Sequence, residues 1–221
     1  LEKEHAAESL GEKTLFLKTP LPVREFALAL SPEYKLATGA VDGVLVKSFY
    51  LPGGEAHAQL ALKSAGDALH FYSQRFGPYP YPEFSVAPVN LGYGGEQHAN
   101  LIFIDTRAYL LPGLLDRYFD FIVAHETGHQ WFYNQIGVNE YTQMWLEEGV
   151  NSYFMEQYID EKYGPDADVL NFPTWFEKYK GLLPSLTFPR TRDYRYKMLV
   201  RSGYDHPILS ALSSFREPAS I

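Results

Sequence analysis

The sequence contains no cysteine among its 221 residues. Disulfide bonds, thiolate nucleophiles and cysteine-based zinc clusters are therefore excluded, and any metal must be bound through nitrogen and oxygen atoms. The chain is also short of basic residues: 19 lysines and arginines stand against 27 acidic residues, for a formal net charge of -8. Because no basic cluster is present, we expect no general affinity for nucleic acid or for anionic lipid surfaces.

Long apolar runs are missing as well. No stretch of about 18 apolar residues occurs, so we expect no membrane-spanning segment, and the first residues lack the pattern of a signal peptide. The sequence begins with Leu1 instead of Met, from which we expect a piece of a longer chain. Neither the cellular compartment nor the oligomeric state is indicated by the sequence.

The apolar residues that are present follow two different periods, which predicts an α+β fold. Residues 14–50 alternate or run apolar between Pro, Gly and Asp, as is typical of strands. Residues 55–76 have helical spacing, and the prolines of "GPYPYPEF" end that helix. Two short strands are expected in "SVAPVNLGYGG" and "NLIFID", followed by helices over 116–136 and 143–162.

The strands of the N-terminal part allow two domain arrangements. They are too few for an independent sandwich. They are either the end of a β-rich domain, residues 1–54, whose start is missing, or a sheet packed on the later part of the chain. Residues 55–221 are then expected to form the second domain, incomplete at its C-terminus.

The segment "AHETGHQWF" places His125 and His129 four residues apart, with Glu126 directly after the first. Side chains four apart lie one turn apart on the same face of a helix, so both imidazoles can reach one metal ion. Glu126 lies about 100° round the helix. It is thus beside such an ion, where it can hold and deprotonate a water. The alternative interpretation is two core histidines and a surface glutamate.

A catalytic zinc site needs three protein ligands and an open fourth position. Glu148 in "MWLEEGVNSYF" is separated from His129 by 18 residues, which is enough for the first helix to end and for the next to return antiparallel. We therefore predict that His125, His129 and Glu148 bind one Zn²⁺ per chain. Glu126 is predicted to act as the general base.

This arrangement resembles the M1 family of zinc aminopeptidases, whose pattern is HExxH, 18 residues, then Glu within WLxEGFxxY. Trp145, Glu148 and Tyr153 match that pattern. Thermolysin-type enzymes carry an Asp four residues after the third ligand, where this chain has Ser152. "FGPYPYPEF" and "DHPI" are similar to further segments of the family. The resemblance implies a thermolysin-like catalytic domain, mainly helical with a small mixed sheet, that binds zinc and hydrolyses peptide bonds.

The substrate strand departs from the family pattern. Family members carry GxMEN or GGMEY on an edge strand, where the Glu binds the free amine of the substrate. In "YGGEQHANLIFI", Gly94 and Gly95 match, Glu96 replaces Met, and Gln97 stands at the amine-binding position; a shift by one residue would give Glu96 that role. Gln carries no charge, and charge-assisted hydrogen bonds are about twice as strong as neutral ones. We expect these four residues to bind substrate; a solvent-facing glycine bend is the alternative.

The family's catalytic tyrosine, which stabilises the oxyanion, lies in a YxKG motif after SHPI. No YxKG follows His206, and we expect the motif beyond Ile221; Tyr204 is the nearest candidate inside the chain. His98 follows the substrate strand and is expected to be structural or exposed. The remaining histidines outside the site are expected to be solvated: His5, His57 and His70.

Three functions agree with these observations. The first is a zinc metallopeptidase with a peptide substrate, of the aminopeptidase type. The second is a zinc endopeptidase or other hydrolase without free-amine recognition, which Gln97 favours. The third is a non-catalytic peptide-binding fragment, which the missing tyrosine motif favours.

Overall fold

Both strands and helices occur in the part of the chain that the computed structural model describes, residues 2–9, 12–19, 21–182 and 186–210, and the α+β prediction is confirmed. The strands are β1 (Glu2–Ser9), β2 (Glu12–Lys18), β3 (Lys35–Val41), β4 (Val44–Tyr50), β5 (Glu83–Val89), β6 (Gly95–His98) and β7 (Leu101–Asp105). The helices are α1 (Glu55–Phe76), α2 (Asp116–Gly128), α3 (Glu140–Met144), α4 (Val150–Tyr163) and α5 (Phe188–Ser202). A π-helical turn covers Trp145–Gly149, and 3₁₀ segments cover Thr106–Tyr109 and Thr174–Leu182. None of the described helices is long and apolar enough to cross a membrane.

Five strands form a mixed sheet in the order β3-β4-β5-β7-β6. β3 and β4 are antiparallel, β5 lies parallel to both β4 and β7, and β6 runs antiparallel to β7. β1 and β2 form a separate antiparallel hairpin. Within the described residues β6 is an edge strand, and an edge strand has backbone groups that can pair with another chain. The small mixed sheet implied by the family resemblance is confirmed.

The sheet includes strands on both sides of residue 54. β3 and β4 precede that position, yet they hydrogen bond into the same sheet as β5, β6 and β7. The later part of the strand-rich segment is therefore joined to the strands beyond residue 54. The division of the chain into a domain of residues 1–54 and a domain of residues 55–221 stays a prediction.

The helix predicted over residues 55–76 is confirmed as α1. Its buried stripe consists of small residues at a spacing of three or four: Ala58, Ala61, Ala65 and Ala68. Small side chains allow the helix backbone to approach its neighbours closely, and α1 packs against α2, β3 and β4. The helix ends at Gly77, whose φ of 96° favours glycine.

One of the histidines in α1 is buried, and the prediction that it is solvated is wrong. The ring of His57 lies 5.4 Å from that of Tyr109 and 5.7 Å from that of Phe119. Burial lowers the pKa of His57, with the charge of Asp116 acting in the opposite direction, so the neutral form is favoured. His70 is exposed, as predicted. The side chain of His5 lies outside the described residues.

The helix predicted over residues 116–136 is shorter than expected, because α2 ends at Gly128. After α2 the backbone forms a tighter turn, with a hydrogen bond between residues three apart: Trp131 N donates to Gly128 O at 3.0 Å. This path buries Trp131, whose indole N–H donates to Gly77 O at 3.0 Å and whose ring stacks on Tyr72 with centroids 5.5 Å apart. Tertiary packing therefore overrides the local apolar pattern that predicted a longer helix.

The helix predicted over residues 143–162 begins earlier and contains an irregular turn. The side chain of Asn139 caps α3 by accepting a hydrogen bond from Tyr141 N at 3.1 Å. α3 continues into the π-helical turn, which continues into α4. A π-helical turn inside a helix is frequent at functional sites. This one carries two adjacent glutamates, Glu147 and Glu148.

A buried polar network joins α2 to α4. The fully buried carboxylate of Asp120 accepts hydrogen bonds from Tyr158 Oη at 3.0 Å and Tyr163 Oη at 2.8 Å. Lys162 Nζ lies 2.8 Å from the same carboxylate. Because a buried carboxylate is stable only when its oxygens have partners, these contacts fix the two helices relative to each other.

Candidate metal centre

Two histidines at the end of α2 and one glutamate of the π-helical turn converge on one point. His125 Nε2 lies 3.2 Å from His129 Nε2 and 3.2 Å from Glu148 Oε2. His129 Nε2 lies 3.6 Å from Glu148 Oε1. One ligand atom of each residue lies within 4.8 Å of the other two. The structure thus brings together the three residues that the sequence predicts as metal ligands.

The shortest of these separations are close to those around a tetrahedral ion, with His125 facing Oε2 of Glu148 and His129 facing Oε1. With zinc–nitrogen and zinc–oxygen distances of about 2.0–2.2 Å, two ligand atoms on a tetrahedron lie about 3.3–3.6 Å apart. Two imidazole nitrogens and one carboxylate oxygen are also a donor set of catalytic zinc sites, in which a fourth position is left open. The three residues therefore fit zinc by both distance and chemistry.

The π-helical turn places adjacent carboxylates on opposite sides of the His129 ring. Glu148 Oε1 faces Nε2 of that ring, whereas Glu147 Oε1 lies 3.8 Å from Nδ1. Sequence reasoning missed Glu147, because a regular helix turns neighbouring side chains about 100° apart. The signal that could have found it is the glutamate pair in "WLEEG".

Main-chain and amide groups orient the two histidines. His129 Nδ1 lies 3.3 Å from Phe132 O; a proton on Nδ1 donated to this carbonyl leaves Nε2 free to bind a metal. Asn151 Nδ2 donates to the carbonyl oxygen of His125 at 2.9 Å and so ties the last turn of α2 to α4. A Cβ at Gly128 would lie 2.0 Å from Asn151 Oδ1. Glycine at this position therefore permits the close approach of the helices.

The cluster sets the protonation states of its own members. Burial opposes ionisation of Glu148, but the hydrogen bond to His125 and the positive charges of His129 and His125 outweigh it and lower the pKa of Glu148 to about 2. Burial, followed by the charge of His125, lowers the pKa of His129 to about 4. The ionised carboxylate of Glu148 and the neutral imidazole of His129 are forms that bind metals. Burial lowers the pKa of His125, but the hydrogen bond to Glu148 and the charges of the neighbouring glutamates outweigh it and raise that pKa.

Glu126 lies beside the metal-ligand residues. Its side chain is buried, and burial raises its pKa to about 7; the charge of His125 opposes this effect, and those of Glu148 and Glu96 add to it. Gly95 of β6 lies against the same side chain, since a Cβ at Gly95 would be 2.7 Å from Glu126 Cγ and Oε1. Glu126 is thus enclosed between the histidine pair and the edge strand.

β6 turns its two polar candidates to opposite faces, as is usual for successive residues of a strand. Gln97 shares the face of Gly95, and its Nε2 donates to Glu147 Oε1 at 3.0 Å. Glu96 accepts a hydrogen bond from Tyr93 Oη at 2.8 Å. Of the two, Gln97 is the residue whose side chain contacts the π-helical turn that carries a metal ligand.

The other two candidates lie away from the ligand cluster. His98 is mostly buried, and its Nδ1 lies 2.9 Å from Glu25 Oε1, which agrees with a structural role. Tyr204 follows α5, and its backbone N–H donates to Leu199 O at 3.0 Å. No hydrogen bond among the described residues joins Tyr204 to the metal-ligand residues. The expected tyrosine motif after Ile221 stays a prediction, and residues 211–221 lie outside the described part.

Two histidines one helical turn apart, a glutamate from the next helix and a buried carboxylate beside them are typical of metal-dependent hydrolases. An edge strand next to such a site is typical of proteins that bind peptides in extended form. The fold and the site together therefore define the class as metallopeptidase-like.

Comparison with known proteins narrows this class to a family. Residues 60–182, more than half of the chain, match the Peptidase family M1 domain. The chain is 26% identical to aminopeptidase N of Homo sapiens over 191 residues, which cover 82% of this chain and 18% of that protein. It is 29% identical to aminopeptidase 2, mitochondrial, of Saccharomyces cerevisiae over 167 residues, 72% of this chain and 17% of that protein. The chain belongs to peptidase family M1, and it spans about a fifth of the length of these relatives.

Proposed function

We propose that this chain carries the catalytic site of a zinc aminopeptidase and has a thermolysin-like catalytic domain. The proposal is carried by the convergence of His125, His129 and Glu148 on one point, with Glu126 buried beside them. Membership of peptidase family M1 and the aminopeptidase names of the relatives support it.

In this proposal each residue of the cluster has one role. His125, His129 and Glu148 would hold the ion. When bound, zinc supplies Lewis-acid chemistry that polarises the scissile carbonyl and activates water. Glu126 takes a proton from the attacking water and returns it to the leaving amine. Burial of Glu126 against Gly95 keeps its carboxylate away from bulk solvent.

The substrate is proposed to be a peptide whose backbone pairs with β6. Strand addition to a sheet edge uses backbone hydrogen bonds, and Gly94 and Gly95 allow the peptide to approach closely. Gln97 is proposed for the position near the free amine, because it shares the face of Gly95. Glu96 lies on the other face and is hydrogen bonded to Tyr93.

The catalytic assignment is tested by Glu126→Gln in the complete protein. We expect the variant to retain one zinc per chain by elemental analysis and to lose about 100- to 10,000-fold in kcat, the usual contribution of a general base. Glu140→Gln, at the start of α3, is the control for removal of a nearby carboxylate. Full peptidase activity in zinc-loaded Glu126→Gln would contradict the base assignment. Absence of zinc from the wild-type protein would contradict the metal centre.

The neutral Gln97 favours a second candidate function, a zinc endopeptidase or other hydrolase without free-amine recognition. The rates of cleavage of a peptide and of its N-acetylated twin separate the two functions. A strong preference for the free peptide supports the aminopeptidase, whereas equal rates support the second function. Binding without cleavage of either peptide supports a non-catalytic peptide-binding role.

A further inference from the structure

We propose that Glu147 is a positioning residue for substrate recognition, which fixes the amide of Gln97 with its oxygen directed at the substrate. This inference rests on the proposed aminopeptidase function. Glu147 has no part in the metal cluster or in the proton transfer assigned to Glu126. The residue is nevertheless only 2% exposed, and its Oε1 lies 3.8 Å from Nδ1 of the metal-ligand residue His129.

The carboxylate of Glu147 is buried and needs polar partners that stabilise it. Burial of a charged group is unfavourable unless polar partners compensate for the lost water. Glu147 Oε1 accepts a hydrogen bond from Gln97 Nε2 at 3.0 Å, and Oε2 has no hydrogen-bond partner among the described residues. Among the described residues, Gln97 is therefore the hydrogen-bond partner of the Glu147 carboxylate, and His129 Nδ1 is a more distant contact at 3.8 Å. The bond to Gln97 joins the π-helical turn to β6 across 50 residues of sequence.

The hydrogen bond to Glu147 also sets the orientation of the Gln97 amide. An amide donates only through its nitrogen and accepts only through its oxygen. Because Glu147 Oε1 accepts the hydrogen bond from Gln97 Nε2 at 3.0 Å, Glu147 holds Nε2 on its own side and turns Oε1 of Gln97 away from itself. A peptide α-ammonium has only donors to offer, so it can bind Oε1 but not Nε2. Without Glu147 the amide can rotate by half a turn and present the wrong group.

The residue type that suits position 97 also depends on its partner Glu147. A glutamate there would place two acceptor oxygens about as close as the present 3.0 Å contact, where they repel each other because neither donates a hydrogen bond. One amide and one carboxylate avoid this repulsion. The two residue types can therefore be exchanged between positions 97 and 147, provided that one side chain donates the hydrogen bond and the other accepts it.

The experiment measures the ratio of kcat/KM for a free peptide to that for its N-acetylated twin, in the complete zinc-loaded protein. We expect Glu147→Leu to lower this ratio about tenfold, the effect of one lost hydrogen bond, with unchanged zinc content. Glu147→Gln should lower the ratio less than Glu147→Leu, because its amide can still accept from Gln97 Nε2 but can also donate to Gln97 Oε1. The exchanged pair, Gln97→Glu with Glu147→Gln, should retain the ratio. Glu140→Leu is the control for loss of a nearby carboxylate.

The results separate this inference from the function on which it rests. A wild-type ratio near one refutes the aminopeptidase proposal and this inference together. A high wild-type ratio that Glu147→Leu leaves unchanged, with both rates reduced equally, shows a purely structural role and overturns the inference alone. Loss of the ratio in the exchanged pair also overturns it, and the exchanged pair serves as the test if Glu147→Leu does not fold.

Discussion

Replacement of Gly95 by alanine is expected to displace the proposed general base while the metal ligands stay in place. A Cβ at position 95 would lie 2.7 Å from Cγ and Oε1 of Glu126 and 2.9 Å from its Cδ. Carbon atoms in contact prefer about 3.5–4.0 Å, so the Glu126 side chain must move by about 1 Å. The backbone of β6 cannot easily yield instead, because it is paired with β7.

The size of the effect follows from this displacement. A reacting group misplaced by about 1 Å can cost about 100-fold in rate, and we expect a loss of that order in kcat. Overpacking in a core costs about 1–3 kcal/mol. We expect about 1 kcal/mol of lost stability here, because the atoms that clash belong to a side chain and not to the backbone.

The assay combines steady-state kinetics of the complete protein on a free peptide with zinc analysis and urea unfolding. Gly94→Ala is the matched comparison, because its Cβ would meet Ile122 at 3.7 Å, an ordinary contact. We expect it to raise KM, because Gly94 is proposed to let the peptide approach, and to change kcat much less than Gly95→Ala does. Wild-type kcat in Gly95→Ala, or an equal loss in both variants, would refute the reasoning.

Asp105→Asn is expected to lower the free energy of unfolding at neutral pH by about 1–2 kcal/mol. Both carboxylate oxygens of Asp105 accept hydrogen bonds, which come from backbone N–H groups and from the solvent-exposed side chain of Arg107. Burial raises the pKa of Asp105, but the bonds from Arg107 and the backbone outweigh it and lower the pKa to about 2 from 3.8. This stability is therefore present above about pH 4 and lost as the pH falls towards 2, so urea unfolding of wild type and variant should converge there. Gly128→Ala is expected to lower stability by about 3 kcal/mol in thermal unfolding, because its Cβ would lie 2.0 Å from Asn151 Oδ1 in packed surroundings. Removal of metal with a chelator should lower Tm, and added zinc should restore it, because a ligand of the native state stabilises that state.

Each of these outcomes has a counterpart that contradicts it. A stability difference for Asp105→Asn that stays constant from pH 7 to about pH 2 would show that ionisation of Asp105 is not its source. A Gly128→Ala variant as stable as wild type would show that α2 and α4 can separate without cost. A Tm that does not respond to chelator and zinc would contradict the metal centre.

The chemistry of the site and several elements were predictable from local signals. The absence of cysteine leaves nitrogen and oxygen ligands, and the periodicity of a helix puts His125 and His129 on one face. The 18 residues between His129 and Glu148 are enough for the chain to turn back, so that Glu148 can reach the two histidines. α1 matches its predicted range because its apolar period and the glycine and prolines that end it are all encoded within that segment.

Only the tertiary structure decided the features that depend on contacts between distant segments. α2 ends at Gly128 because the side chain of Trp131 stacks on Tyr72 of α1 and donates a hydrogen bond to Gly77, which follows α1. His57 is buried because aromatic rings from other elements surround it. The face that Gln97 presents depends on its partner Glu147, 50 residues away on an irregular turn. The sequence by itself thus determined which atoms can bind a metal, because that depends on residue type and helical period. The packing of the sheet edge against the helices decided which side chains surround those atoms.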